Sequence, residues 1–154
     1  EVSRFWTHPS GVECKARVDA VPTGDYSRYL VDLKTTQDAG KAFNRSVHSF
    51  GYYRGASHYL SSFETSEFME MDSEFSDMRM TEERDRFIFI AVESSPPHGV
   101  AVYELDYDAI ELGQEEIDIL LTQYAQCEAE DSWPSYPTEL LELSLPGYAY
   151  TQRP

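Results

Sequence analysis

The stretch YLVDLKTTQDAG, residues 29–40, sets the reading of the whole chain. Tyr29, Leu30 and Val31 form an apolar run of strand character, and Thr35 and Thr36 are good strand formers. Side chains two apart in a strand share a face, so Asp32 and Lys34 point together while Leu33 points the other way. A strand that ends on an acid and a lysine is either a surface ion pair or the rim of a site. The neighbouring elements decide between them.

Upstream, EVSRFWT reads as a strand closed by the turn-forming HPSG. VECKARVDAV is a second strand, with Cys14, Ala16 and Val18 on one face and charged residues on the other. PTGDYS is expected to make a hairpin turn, with RYLVDLKTT, residues 28–36, returning as the third strand. Downstream, DAGKAFNRSVHSF and YYRGASHYLSSFETSEFMEM read as helices, the second with Tyr52, Ala56, Tyr59, Leu60 and Phe63 along one stripe. RFIFIAVES is an unbroken apolar strand, expected to be central and buried on both faces. PPHG turns into the strand VAVYELD, and residues 107–128 form an amphipathic helix carrying Ile110, Ile117, Leu120, Leu121 and Tyr124. The tail from Trp133 is rich in proline and aromatics and is expected to pack over the domain without forming an element of its own. No internal repeat appears, and one domain, residues 1–154, accounts for the chain.

Composition bounds the rest. The chain has 154 residues, 41% of them hydrophobic and 14% aromatic, which is enough to fold around a core of its own. No apolar run approaches the roughly 18 residues of a membrane span, so no membrane partner is expected. The chain opens at Glu1 with no Met or signal-like segment, as expected of an excerpt or a processed product. Cys14 and Cys127 cannot build a four-cysteine metal site and fit a reducing, cytoplasmic setting. Net charge is −16, opposite to the balance of an ordinary nucleic-acid binder. Net charge governs steering and solubility, however, and a local groove can still be positive. Eight of the twelve basic residues precede position 55, which leaves a basic face available near Asp32.

The element order β-β-β-α-α-β-β-α gives the opening stretch a chemical reading. Asp19 ends the second strand, and the short connection returns it beside the third, where cross-strand partners lie within about 5 Å. Asp19, Asp32 and Lys34 then converge, spaced D-x12-D-x-K. Two carboxylates at one spot repel unless neutralised. A hard divalent cation does this, and Mg²⁺ takes one or two carboxylates with waters and phosphate oxygens.

These residues resemble the PD-(D/E)XK nuclease superfamily and, more narrowly, the nuclease domain of phage RecE-type (exonuclease VIII-like) exonucleases. EVSRFW, CKARVDA, VDLKTT, YYRGASHYL, FIFIAVESSPPHGVAVYELD and the closing WPSY…LSLPGYA occur in that family's order over nearly the whole chain. The resemblance implies a mixed α/β fold of restriction-endonuclease type, a central mixed sheet flanked by helices. It implies that Asp19 and Asp32, with the carbonyl of Leu33, hold Mg²⁺ or Mn²⁺. Lys34 would position the hydrolytic water or stabilise phosphate charge, and Arg54 and Tyr59 would face the substrate. The implied activity is exonucleolytic degradation of one strand at double-stranded DNA ends, from the 5′ end, in phage-type recombination. The implied partners are DNA, a RecT-like strand-annealing protein and further copies of the chain in a ring with a basic channel. The implied setting is the bacterial cytoplasm.

Two positions depart from the family. Val18 replaces the proline before the first acid, and Gly55 stands where a glutamine precedes Tyr59 by four residues. The family's helical region upstream of EVSRFW is absent from these residues. Gly55 and the acidic charge motivate an alternative of another class: a weakened nuclease fold that binds DNA ends or protein. The acid–acid–lysine set alone also fits a PD-(D/E)XK endonuclease. Other candidates reduce to structure. His8, His48, His58 and His98 show no metal-ligand spacing, and His48, near Arg45, reads as a surface histidine. Met69, Met71, Met78 and Met80 keep no helical face and suit gap-filling or partner contact. The absence of a Gly-rich phosphate loop argues against ATP use.

Overall fold

A computed structural model describes residues 1–64 and 84–150. The methionines at 69–80 and residues 65–71 of the helix expected over 52–71 lie outside the described residues. The element order among them follows the expected alternation with two additions, a 3₁₀ turn at Gly24–Tyr26 before the third strand and a short helix at Gly147–Tyr150 in the tail, where no element was expected. β1 (Val2–Thr7) pairs antiparallel with β2 (Glu13–Val18), joined by a turn in which His8 N donates to Val12 O. Alternation holds on β2: Cys14, Ala16 and Val18 are buried and their neighbours exposed.

β3 (Tyr29–Thr36) pairs parallel with β4 (Arg86–Glu93), and β4 pairs antiparallel with β5 (Val100–Glu104). The expected single mixed sheet is met as two small sheets joined by one bridge, Ala20 to Val31, with reciprocal N–H to O hydrogen bonds of 3.1 and 3.0 Å. Parallel pairing of β3 and β4 requires a crossover, supplied in part by α1 (Phe43–Ser49) and α2 (Tyr52–Glu64). α1 starts later than the sequence suggests. Asp38 Oδ1 accepts from Gly40 N at 2.7 Å, a side-chain turn that competes with helix at its front end.

One face of the sheet holds the core: Val18, Leu30, Phe87, Phe89 and Ala91 against Phe43, Ala56 and Leu60. Tyr52, Tyr59 and Phe63 complete the predicted α2 stripe. Tyr59 also touches a second cluster of Trp6, Cys14 and Ala16, so it ties the β1–β2 pair to the main core. α3 (Tyr107–Glu130) begins where Asp106 accepts from Ala109 N at 2.8 Å, and it packs along α2. Contact there is close because residue 113 is glycine: a Cβ would meet Ser57 Oγ and lie 2.8 Å from the Tyr53 carbonyl.

Two expectations are corrected. β4 is buried on one face only; Ile88, Ile90 and Val92 are half-buried, and their neighbours Leu33, Val100 and Val102 are exposed. No described element covers that side, so an apolar strand became central without becoming enclosed. The tail does not pack over the domain. Residues 132–146 carry no helix or strand, and Leu140, Leu141, Leu143 and Leu145 stand exposed; Trp133 makes a ring contact with Tyr124 at 5.3 Å. No described helix is long and apolar enough to cross a membrane.

Candidate active site

The bridge between Ala20 and Val31 fixes the site. Continuing its antiparallel register by one residue sets Asp19 opposite Asp32. Asp19 Oδ2 accepts from the Leu33 N–H at 2.9 Å, which anchors the first acid on the backbone next to the second. The connection between β2 and β3 is clipped from below by Arg84, a buried guanidinium whose Nη1 donates to the carbonyls of Pro22 (3.0 Å), Ser27 and Tyr29 (3.1 Å). Sequence reasoning missed Arg84. Nothing local marks it, because its partners lie more than fifty residues upstream.

Asp32 is 4% exposed, on the core face of β3 directly beside Phe89 of β4. A carboxylate there needs a reason. Lys34 Nζ lies 2.5 Å from its Oδ2 and is the charged partner of that buried oxygen. Burial pushes the Asp32 carboxyl above its usual range; Lys34 opposes the shift, and the charge of Asp19 adds to it. Lys34 is held from its other side by Tyr52, whose ring centroid is 4.8 Å from Nζ. The sequence placed Tyr52 only in the core stripe; its second role comes from standing at the first turn of α2, across from the end of β3.

Tyr59 faces the same charges. Burial first, and then the charge of Asp32, raise its hydroxyl above the ordinary tyrosine range. Asp19, Asp32 and Lys34 are therefore brought together, with Tyr59 within reach of their charge. Arg54 is not. Its guanidinium Nε sits 3.5 Å from Glu116 Oε2 on α3, the same oxygen that accepts from the Tyr53 hydroxyl at 2.7 Å. Gly55 opens onto a groove of about 670 Å³ between the β1–β2 turn and α3, lined also by His58 and Leu121. A Cβ on Gly55 would meet nothing within 4 Å.

The histidines are engaged elsewhere: His8 with Asp118 at 3.1 Å, His58 against the Trp6 ring, His48 beside Tyr53 and His98 on the Glu93 carbonyl. Among the described residues no group of three or more His, Cys, Asp or Glu side chains could hold a metal. The donor set at Asp32 is smaller and hard: two carboxylates and a backbone carbonyl. That set suits Mg²⁺, which keeps several waters and asks for one or two carboxylates. The feature of this structure that fits such an ion is the donor chemistry itself: the buried carboxylate of Asp32, ion-paired with Lys34, with Asp19 held next to it.

A buried acid at a sheet junction, a second acid from the preceding strand and a lysine two residues on define a protein of the PD-(D/E)XK-like class. The chain belongs to the family described as "PDDEXK-like domain of unknown function (DUF3799)", whose model matches residues 1–143. No curated protein matches it.

Proposed function

We propose that this chain is a metal-dependent deoxyribonuclease of RecE-like exonuclease type, hydrolysing phosphodiesters at double-stranded DNA ends. The observation that carries the reading is Asp32, a buried carboxylate beside Lys34 with Asp19 tethered next to it. Burial of an acid is unfavourable for folding alone and is common where chemistry needs it.

Asp19, Asp32 and the Leu33 carbonyl would hold Mg²⁺ or Mn²⁺. When bound, the ion supplies neutralisation of the phosphodiester and a water of lowered pKa. The chain's own residues do the positioning. Lys34, steered by Asp32 and the Tyr52 ring, presents a single positive charge at the rim, where it can hold the attacking water or meet charge developing on phosphate. Tyr59, packed against both apolar clusters, feels the charge of both acids and would face the substrate beside them. Arg54, engaged by Glu116, reaches substrate only after leaving that acid, so substrate grip at this end of α2 is weaker than the resemblance implies. A RecT-like annealing partner belongs to the same proposal.

A second reading rests on Arg54 and Gly55: a fold whose substrate-facing helix has lost its grip, retained to bind DNA ends or protein. One digestion separates the readings. End-labelled linear duplex and closed circular duplex are incubated with Mg²⁺ and with EDTA. The exonuclease removes label from the linear form, spares the circle and stops in EDTA. Cleavage of the circle indicates an endonuclease. No cleavage of either, with retained binding of linear ends, supports the binding module and overturns the proposal.

A further inference from the structure

Among the described residues no strand pairs with the outer edge of β5 and nothing covers the tail, and the two answer each other. Glu93 N donates to Gly99 O, and Leu105 N to Phe87 O, at 2.9 Å each, so the odd-numbered residues here turn toward β4. By alternation the N–H and C=O groups of Val100, Val102 and Glu104 point to the open edge. Val100 and Val102 are also 63% and 64% exposed on the sheet face that no described element covers. Leu33, Ile90 and Val102 run in register across that face, an apolar row ending at the edge. Such an edge is a template for another strand.

The tail contains a segment of matching kind. In Glu139–Leu145, the residues Leu141, Leu143 and Leu145 alternate with Glu142 and Ser144, the period of a half-buried strand. Pro137 and Pro146 bracket it, where strands commonly begin and end. Seven residues suffice to span the five of β5. Within one copy the segment stays off the sheet: Leu140 and Leu143 are 102% and 93% exposed. α3 begins just after β5 and is about 35 Å long at 1.5 Å per residue, so the tail starts a helix length from its own edge strand.

We propose that residues 139–145 form a strand that adds to the β5 edge of a second copy of this chain. Main-chain hydrogen bonds supply the affinity, and alternate leucines extend the apolar row of the recipient sheet. Exchange in both directions closes a two-fold dimer, with each copy giving its tail and accepting the other's. The proposal is independent of the nuclease reading, since Asp19, Asp32 and Lys34 take no part in it.

The test uses sedimentation velocity on the full chain across micromolar concentrations. Two variants are made at exposed positions: Leu141→Lys/Leu143→Lys disables the tail, and Val100→Lys/Val102→Lys disables the edge. Wild type is expected to dimerise, and each variant alone to remain monomeric with unchanged circular dichroism. Mixed in equal amounts, the variants should associate again, more weakly than wild type, because one retains its edge and the other its tail. A monomeric wild type overturns the proposal, whether the tail folds onto its own sheet or stays free. So does a dimer that either variant leaves intact, or a mixture that stays monomeric.

Discussion

Replacing Asp32 by Asn tests the site without needing a substrate. Asp32 is buried, and its carboxyl is raised above the usual range chiefly by that burial. A carboxyl raised in the folded state binds its proton more tightly there than in the unfolded chain. Without metal, stability therefore falls as pH rises from the unfolded value, about 3.9, toward the folded one. Asp32→Asn removes this term, so the metal-free variant should melt above wild type at neutral pH, and the gap should close in acid. Mg²⁺ reverses the order. An ion present at tenfold its dissociation constant stabilises the folded state by about 1.4 kcal/mol, or roughly 3–6 °C in a chain of this size. Outer-shell changes alone weaken metal sites by about 10–100-fold. Losing a carboxylate ligand should weaken binding at least as much, and a hundredfold loss leaves the variant about 0.06 kcal/mol from the same ion. Differential scanning fluorimetry of both proteins in EDTA and in Mg²⁺, from acid to neutral pH, reads every term. If the metal-free melts coincide at all pH values, the account of Asp32 as a strained acid is wrong. Equal Mg²⁺ shifts in the two proteins would remove the metal from Asp32.

Lys34→Ala should preserve the Mg²⁺-dependent melting shift but lower DNA hydrolysis by about 10² or more, because charge aimed at the transition state is usually the largest catalytic term; unchanged turnover would move the chemistry elsewhere. Gly55→Gln places its side chain in open space, so it should raise thermal stability by up to about 1 kcal/mol through helix propensity, and increased cleavage would show that the missing amide limits activity. Arg84→Met strips the donors from three loop carbonyls and should cost about 2–3 kcal/mol in denaturant unfolding. Gly113→Val drives a side chain into the Tyr53 carbonyl and Ser57 and should destabilise by about 1–3 kcal/mol; a neutral result would mean that α3 does not sit as closely on α2 as described.

Alternation made β2 legible, because it has one buried face and its pattern is local. β3 was legible as an apolar run of strand formers and β1 by its closing turn, although β1 buries Arg4 and Trp6 and leaves Phe5 exposed. The α2 stripe was legible for the same reason as β2. Asp19 and Asp32 could be paired from sequence since a short connection leaves the returning strand few choices. What stayed hidden depends on distant chain. Arg84 looks like one more surface arginine until the loop it clips is in place. Arg54 carried a family pattern, but its partner Glu116 sits on a helix whose approach is set by Gly113, and no spacing around residue 54 reports that. β4 misled by composition: an apolar run signals a central strand, yet whether its second face is covered depends on what else arrives.

That uncovered face bears on the acidity of the molecule. A chain of net charge −16 repels both its own copies and DNA at long range. Specific contact must then come from short-range features strong enough to overcome that repulsion. The structure has two of different kinds: a sheet edge that offers directional backbone hydrogen bonds with apolar rows, and a metal-suited acid pair with one lysine. Repulsion between copies is screened by salt, whereas strand addition and apolar burial are not. Attraction between DNA and a metal-bearing rim is weakened by salt. If both features operate, raising ionic strength should strengthen self-association while it weakens end binding. Those opposite slopes would show that assembly and substrate contact use separate surfaces of the chain.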